Sequence, residues 1–184
     1  MIERIISLAL VAMVSVSQAG GTIVRQTETK KAANPNLTYD AFIVSELTEE
    51  QFNTLLEGSG LDGCGAAFAE IEEEYGVNGL FALSVANLES GLGKACANTN
   101  NFFGFMGSGG RWMKFATKED GISYFGELIS GKIYSGKTID QIAGIYCPGS
   151  ARWAGDVRWL MKYHFERLDT TGQSEAADDR RQVA

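Results

Sequence analysis

The sequence has few of the groups on which several hydrolase classes depend: its 184 residues include one histidine, three cysteines and two prolines. A lone histidine excludes zinc hydrolases built on paired histidines, such as the H-E-x-x-H enzymes. It could serve a serine or cysteine nucleophile, but no G-x-S-x-G turn accompanies it. His164 falls in the run Val157, Leu160, Met161, His164, Leu168, whose helical spacing on an apolar stripe assigns it to packing or surface. Three cysteines are too few for a disulfide-stapled scaffold, and none has C-x-x-C spacing. Spacing does not fix their pairing. Cys96 and Cys147 both fall in loops, so that pair ranks first for a single disulfide, with Cys64 left as a thiol. With 45% hydrophobic and 21% charged residues, the chain is too apolar for a disordered one. Its length fits one domain plus tails.

Positive charge is missing from the first half. Residues 32–93 contain 11 Asp or Glu and no Lys or Arg, whereas residues 94–168 contain 10 basic and 6 acidic side chains. A formal net charge of -7 argues against a nucleic-acid binder, whose footprint is a basic surface. If the halves form opposite faces, only the second suits an anionic polymer. At the start, Met1 to Arg4 lead into an apolar run from Ile5 to Val16, then Ser17-Gln18-Ala19. A charged start, a short apolar run and small residues at a cleavage-like site make residues 1–19 signal-like, too short to span a membrane comfortably. The expectation is export to the cell envelope or beyond, with no stable membrane span after processing. Residues 20–39 read as a polar linker.

The remaining pattern is mostly helical. Thr48-Glu49-Glu50-Gln51 is a capping box, with Leu47 and Phe52 placed as a hydrophobic staple. A helix over residues 64–75 sets Phe68, Ile71 and Tyr75 inward and Glu70, Glu72, Glu73 and Glu74 toward solvent. Leu80 to Leu88 is apolar on nearly every face, the pattern of a helix at the centre of a domain. Gly107-Ser108-Gly109-Gly110 separates Phe103–Met106 from Arg111–Phe115 and predicts a small hairpin. Thr117 caps a helix carrying Ile122, Phe125, Leu128 and Ile129; Thr138 and Gln141 cap another. A last helix runs from about residue 151 to 168. The polar tail 169–184, with Val183 its only aliphatic residue larger than Ala, cannot offset its ordering entropy and is expected to be disordered.

Glu89 stands out against this background. At the C-terminal end of an apolar helix, its charged form is opposed by desolvation and by the negative end of the helix dipole, which favours a protonated general acid. Gly91-Leu92-Gly93 beside it leaves backbone open to a bulky substrate. The competing reading is a surface glutamate that merely ends the helix beside Lys94. Tyr75-Gly76-Val77-Asn78, Ala86-Asn87-Leu88-Glu89-Ser90-Gly91-Leu92-Gly93 and Asn100-Asn101-Phe102-Phe103-Gly104-Phe105, in that order, resemble the signature of the glucosaminidase family of bacterial and phage peptidoglycan hydrolases. The similarity runs from Leu47 to Ala154, roughly two-thirds of the chain.

The resemblance implies a mainly α, lysozyme-like α+β domain over residues 40–168, with a small β-hairpin lobe. It implies cleavage of the β-1,4 bond between N-acetylglucosamine and N-acetylmuramic acid in peptidoglycan glycan strands, with no metal or cofactor. By motif position Glu89 is the catalytic acid, Tyr146 lines the cleft near the reacting sugar, and Asn101 and Phe103 shape its floor. Trp112 and Trp153 are added as flat faces for sugar rings, although packing is the commoner fate of a tryptophan. One departure matters. Glycosidases usually pair two carboxylates about 5 to 9.5 Å apart, yet residues 102–116 contain no Asp or Glu. The next acids, Glu119 and Asp120, sit where a helix N-terminus would use them. Three mechanisms stay open: Asp120 or Glu119 activates water, the substrate's N-acetyl group is the nucleophile, or Glu89 acts alone as in lytic transglycosylases. A muramidase on the same fold, and a glycan-binding module of a phage tail or envelope complex that scarcely turns over, remain alternatives.

Overall fold

The computed structural model describes residues 39–182, with side chains through Asp169. The signal-like segment 1–19 and all but the last residue of the linker 20–39 lie outside the described residues. Among the described residues six α-helices follow in order: α1 (Glu49–Leu56), α2 (Gly65–Tyr75), α3 (Gly79–Ser90), α4 (Lys118–Ser130), α5 (Ile139–Tyr146) and α6 (Trp153–Gln182). The molecule is mainly helical, as the periodicity predicts.

The three expected caps form. Thr48 with Gln51, Thr117 with Asp120 and Thr138 with Gln141 each make reciprocal side-chain bonds to backbone N–H groups. Each satisfies two donors that a helix start leaves without partners, worth about 1 kcal/mol per cap. Gly76 and Gly91 end α2 and α3 in the left-handed conformation, which costs glycine nothing.

Helix α3 is the axis of the domain. Every residue from Gly79 to Ala86 is buried, so no stripe faces water and other helices must cover it on all sides. Its largest interface is with α6; α2 and α4 flank it, and α1 packs on α2 and α6. Gly121 lets α4 approach the preceding loop, since a Cβ there would collide with the carbonyl of Asn100.

Glu72 departs from the solvent-facing position expected of it. Its carboxylate accepts from the Ser45 N–H (2.9 Å), the Ser45 hydroxyl (2.6 Å), the Glu46 N–H (2.9 Å) and the Gly79 N–H (2.7 Å). It thereby ties the entering chain to the start of α3. Helical spacing places Glu72 on the outer side of α2; the entering chain at Ser45 covers it.

The hairpin lobe is much reduced. One antiparallel bridge joins Met106 and Trp112, and a single 3-10 turn over Ser108–Gly110 connects the arms. A ladder does not extend because an amide side chain occupies its base. Asn101 Oδ1 accepts from Phe105 N–H at 2.9 Å, while Asn101 Nδ2 donates to the carbonyls of Phe105 at 2.8 Å and Met113 at 3.1 Å. At the other end of the chain, α6 continues to Gln182, past Leu168, where the apolar stripe stops and the polar tail was placed.

His164 lies in the α3–α6 interface, 1% exposed, with Nε2 2.9 Å from Asn87 Nδ2. Burial, with Arg167 adding to it, pushes its pKa from 6.5 down to about 4. A folded value below the unfolded one means that its contribution to stability is complete above pH 6.5. That contribution is lost as pH falls from 6.5 toward 4, by up to about 3 kcal/mol. Because the chain has one histidine, its imidazole signal in a proton NMR titration is unambiguous. The signal is expected to stay unprotonated until close to pH 4 while urea-unfolding free energy declines below pH 6.5; a midpoint near 6.5 in the folded protein contradicts the burial argument.

Candidate active site

Glu89 occupies the last turn of α3 and is exposed, which corrects the desolvation expected from the apolar helix. The helix is buried on every side only through Ala86; in its final turn Ser90 stays buried while Glu89 faces out. The carboxylate is nevertheless held in place. Glu89 Oε1 accepts from Trp153 Nε1–H at 2.9 Å, and a Cβ built on Gly104 would stand 3.7 Å from Glu89 Oε2. That is an ordinary van der Waals separation, so the turn beneath the carboxylate favours glycine for its backbone, at φ +69°, and not for space.

Trp153 is the first residue of α6, and its backbone N–H is capped by Ser150 Oγ at 3.2 Å. It is 3% exposed, with its ring against Tyr146 (centroids 5.3 Å) and edge-on to Phe81 (6.5 Å). Its faces are therefore spent on packing. It meets the site through its indole N–H, not as the sugar platform proposed from sequence. This is the usual behaviour of a buried tryptophan, whose N–H needs a partner.

Tyr146, at the end of α5, is half-buried and donates its hydroxyl to the Phe103 carbonyl at 2.7 Å. Burial pushes its phenol pKa well up, and the nearby Glu89 carboxylate, then Tyr134 and Cys147, push it further. It therefore remains a neutral donor. Phe103 stacks on Phe125 (4.3 Å, 19°) and on Phe105 (5.6 Å, 29°). Phe103 and Asn101 are each 1% exposed; neither presents surface to a ligand, and both act by fixing the turn under Glu89. Trp112 is 48% exposed on the outer arm of the bridge.

The structure brings Glu89, Trp153, Tyr146 and Phe103 together through two hydrogen bonds, Trp153 to Glu89 and Tyr146 to Phe103, joined by the Tyr146–Trp153 ring contact. It does not join Asp120 to them: Asp120 Oδ2 accepts from Thr117 N–H at 3.0 Å, completing a helix cap. Glu119 lies by Cys64, whose Sγ is 3.8 Å from Glu119 Oε1. The Cys96–Cys147 disulfide does not form either. All three cysteines are free thiols, with Cys96 Sγ directed to the Gly93 carbonyl at 3.4 Å. Sequence reasoning missed two contributors, Gly104 and the Trp153 N–H. The sequence placed a helix start near residue 151, but nothing local pointed the Trp153 indole at α3.

No protein-family model matches the sequence, nor does any curated protein sequence. Solved structures do match the fold. Autolysin E of S. aureus, in complex with the muropeptide NAM-L-Ala-D-iGlu, superposes with a TM-score of 0.56 at 21% identity, covering 71% of this chain and 72% of that one. A catalytic glutamate-to-alanine mutant of autolysin E, in complex with the disaccharide NAG-NAM, gives 0.54 at 20% identity, covering 72% and 75%. A further autolysin E structure gives 0.57 at 20%, covering 71% of each chain. The chain thus has the fold of autolysin E.

The Asn101 amide makes three hydrogen bonds that Asn101→Ala would remove, leaving the buried Phe105 N–H and the partly buried Met113 carbonyl short of partners, while the Phe105 carbonyl keeps the Met113 N–H. Unsatisfied groups of this kind cost about 1–3 kcal/mol each, so a total loss of about 3 kcal/mol is expected in urea denaturation. A loss below about 1 kcal/mol would show that the amide is dispensable to the turn.

Proposed function

We propose that the protein is a peptidoglycan glycosidase that cleaves the β-1,4 bond between N-acetylglucosamine and N-acetylmuramic acid, with Glu89 as general acid. The observation that carries the reading is the Glu89 carboxylate itself, fixed by a buried indole N–H above a glycine turn, on a fold shared with an autolysin solved with a peptidoglycan disaccharide and a muropeptide. A fixed but accessible carboxyl group can reach a glycosidic oxygen without reorganising. A polymer laid over it would also displace the water that surrounds it in the free protein.

In the reaction, protonated Glu89 donates its proton to the bridging oxygen as the C–O bond breaks and positive charge develops on the sugar ring. Tyr146, neutral and bonded to the Phe103 carbonyl, holds the turn facing Glu89. With no Asp or Glu in residues 102–116 and Asp120 engaged as a cap, the reaction proceeds without a second carboxylate. Either the substrate's N-acetyl group attacks the anomeric carbon and water then opens the ring so formed, or Glu89, having given up its proton, takes one from the water that attacks the anomeric carbon directly. The same capping of Asp120 favours a second reading, a lytic transglycosylase, in which the muramic acid hydroxyl attacks internally and an anhydro end results. Either activity operates on cell wall, so secretion or an envelope location is part of the proposal, as is a virion location if the chain belongs to a phage.

Purified peptidoglycan digested with the protein, reduced with borohydride and analysed by mass spectrometry should show reduced N-acetylglucosamine ends. Anhydro-muramic ends would select the transglycosylase, and reduced muramic ends a muramidase. Glu89→Gln should lower the rate by about 10²–10⁴-fold, the usual worth of a general acid, while wall pelleting persists. Full activity in that variant would remove Glu89 from the mechanism. Asp120→Asn should cost far less than Glu89→Gln, and equal losses would restore Asp120 as a catalytic partner.

A further inference from the structure

A cavity of about 530 Å³ lies beside the candidate active site, lined by Asn87, Leu88, Arg152, Asp156, Trp159 and Leu160. It shares both chain segments that build the site. Asn87 and Leu88 directly precede Glu89 on α3, and Arg152 directly precedes Trp153, whose indole holds the Glu89 carboxylate. The cavity lining thus reaches within one residue of Glu89 along α3 and of Trp153 at the start of α6.

Trp159 is 63% exposed. A single exposed aromatic is ordinary on a protein surface, but this one is held in a fixed attitude. Tyr163, one turn further along α6, stacks on it with centroids 5.4 Å apart and planes 7° from parallel, and the Arg167 guanidinium lies 5.8 Å from the centre of the Tyr163 ring. Residues at i+4 and i−3 flank a helical side chain on its two sides. Tyr163 therefore covers one face of Trp159, while Asp156 and the cavity lie toward the other. The stack supplies a flat apolar face whose rotamer entropy is already reduced before anything binds.

The rest of the lining is mixed in a way that suits a pyranose. A sugar ring has apolar C–H faces, whose partly positive hydrogens match the negative face of an aromatic ring, and a rim of hydroxyl and N-acetyl groups. Leu88 and Leu160 offer contact for a methyl group, and Asn87, Arg152 and Asp156 offer donors and acceptors. The Asn87 amide is anchored from below by His164. The Arg152–Asp156 pair, at 3.5 Å and solvent-exposed, contributes little to folding and is free to exchange partners. The cavity also falls within the roughly 300–1,000 Å³ typical of small-ligand sites.

We propose that this cavity is a saccharide-binding subsite, with Trp159 as its platform, that takes a sugar of the same glycan strand beyond the bond at Glu89. The proposal rests on the reading of Glu89 as the site of glycan cleavage, and it adds a residue that sets the length of strand the protein holds.

The test uses the full chain carrying Glu89→Gln, so that ligand survives, and calorimetric titration with peptide-free GlcNAc–MurNAc oligomers, a tetrasaccharide and an octasaccharide. The octasaccharide is expected to bind about tenfold more tightly than the tetrasaccharide, the factor that corresponds to ~1.4 kcal/mol. Adding Trp159→Ala should abolish that gain, and Trp159→Phe should keep part of it. Circular dichroism checks that the variants are folded. A length gain that survives Trp159→Ala, or no length gain in the parent, overturns the subsite while leaving the Glu89 site intact. Trp159-dependent binding of free L-Ala-D-iGlu, with no length effect, would assign the cavity to the stem peptide and overturn it too. Failure to bind any glycan at either length overturns both the subsite and the functional reading beneath it.

Discussion

A helix that is apolar on all sides cannot rest against one neighbour; it has to be enclosed, and the enclosure of α3 organises the other helices. Gly79 to Ala86 have no exposed face, so α2, α4 and α6 converge on it. Placing its N-terminus needs polar anchors in an apolar setting. Asn78 provides them by accepting from Phe81 N–H and donating to the Ile43 carbonyl, and Glu72 adds a bond to Gly79 N–H. These contacts fix one end of α3, and the α6 interface with the Asn87–His164 contact fixes the other. One side of the last turn then emerges from the core at a determined place, carrying Glu89 with it, while Ser90 stays buried.

The ground under Glu89 is mostly aromatic. Phe81, Phe103, Phe105, Phe125, Tyr146 and Trp153 make a continuous set of stacked and edge-to-face contacts. Each pair adds about 0.5–1.5 kcal/mol beyond area burial, and together they leave few alternative arrangements. Two polar groups of this set point out of it, the Tyr146 hydroxyl to the Phe103 carbonyl and the Trp153 N–H to Glu89. Stability and site geometry thus have the same source: the rings that fill the core also aim the groups that hold the turn and the carboxylate.

The capping boxes and the central helix were legible in sequence because each depends on residues within one turn of each other. The roles of Trp153, Asn101 and Glu72 were not. Trp153 read as a sugar platform because its residue type permits one; only the docking of α6 shows its faces covered and its N–H aimed at α3. Asn101 read as part of a cleft-shaping turn, and the structure shows that it does so by replacing the strand pairing that the Gly107–Gly110 turn suggested. Glu72 read as solvent-facing because helical spacing says nothing about the entering chain at Ser45 that covers it.

By itself the sequence determined a mostly helical domain with an apolar central helix, its caps, and a glutamate at the point where that helix leaves the core. These follow from local hydrogen bonding and from periodicity, which require no knowledge of distant residues. Tertiary structure alone decided that Glu89 is exposed, that its partner is an indole 64 residues away in sequence, that Asp120 is engaged as a cap, and that Trp159 faces a cavity beside the site. Such facts depend on which helix faces which, and that is settled by the packing of side chains far apart in the chain, where no local pattern carries the information.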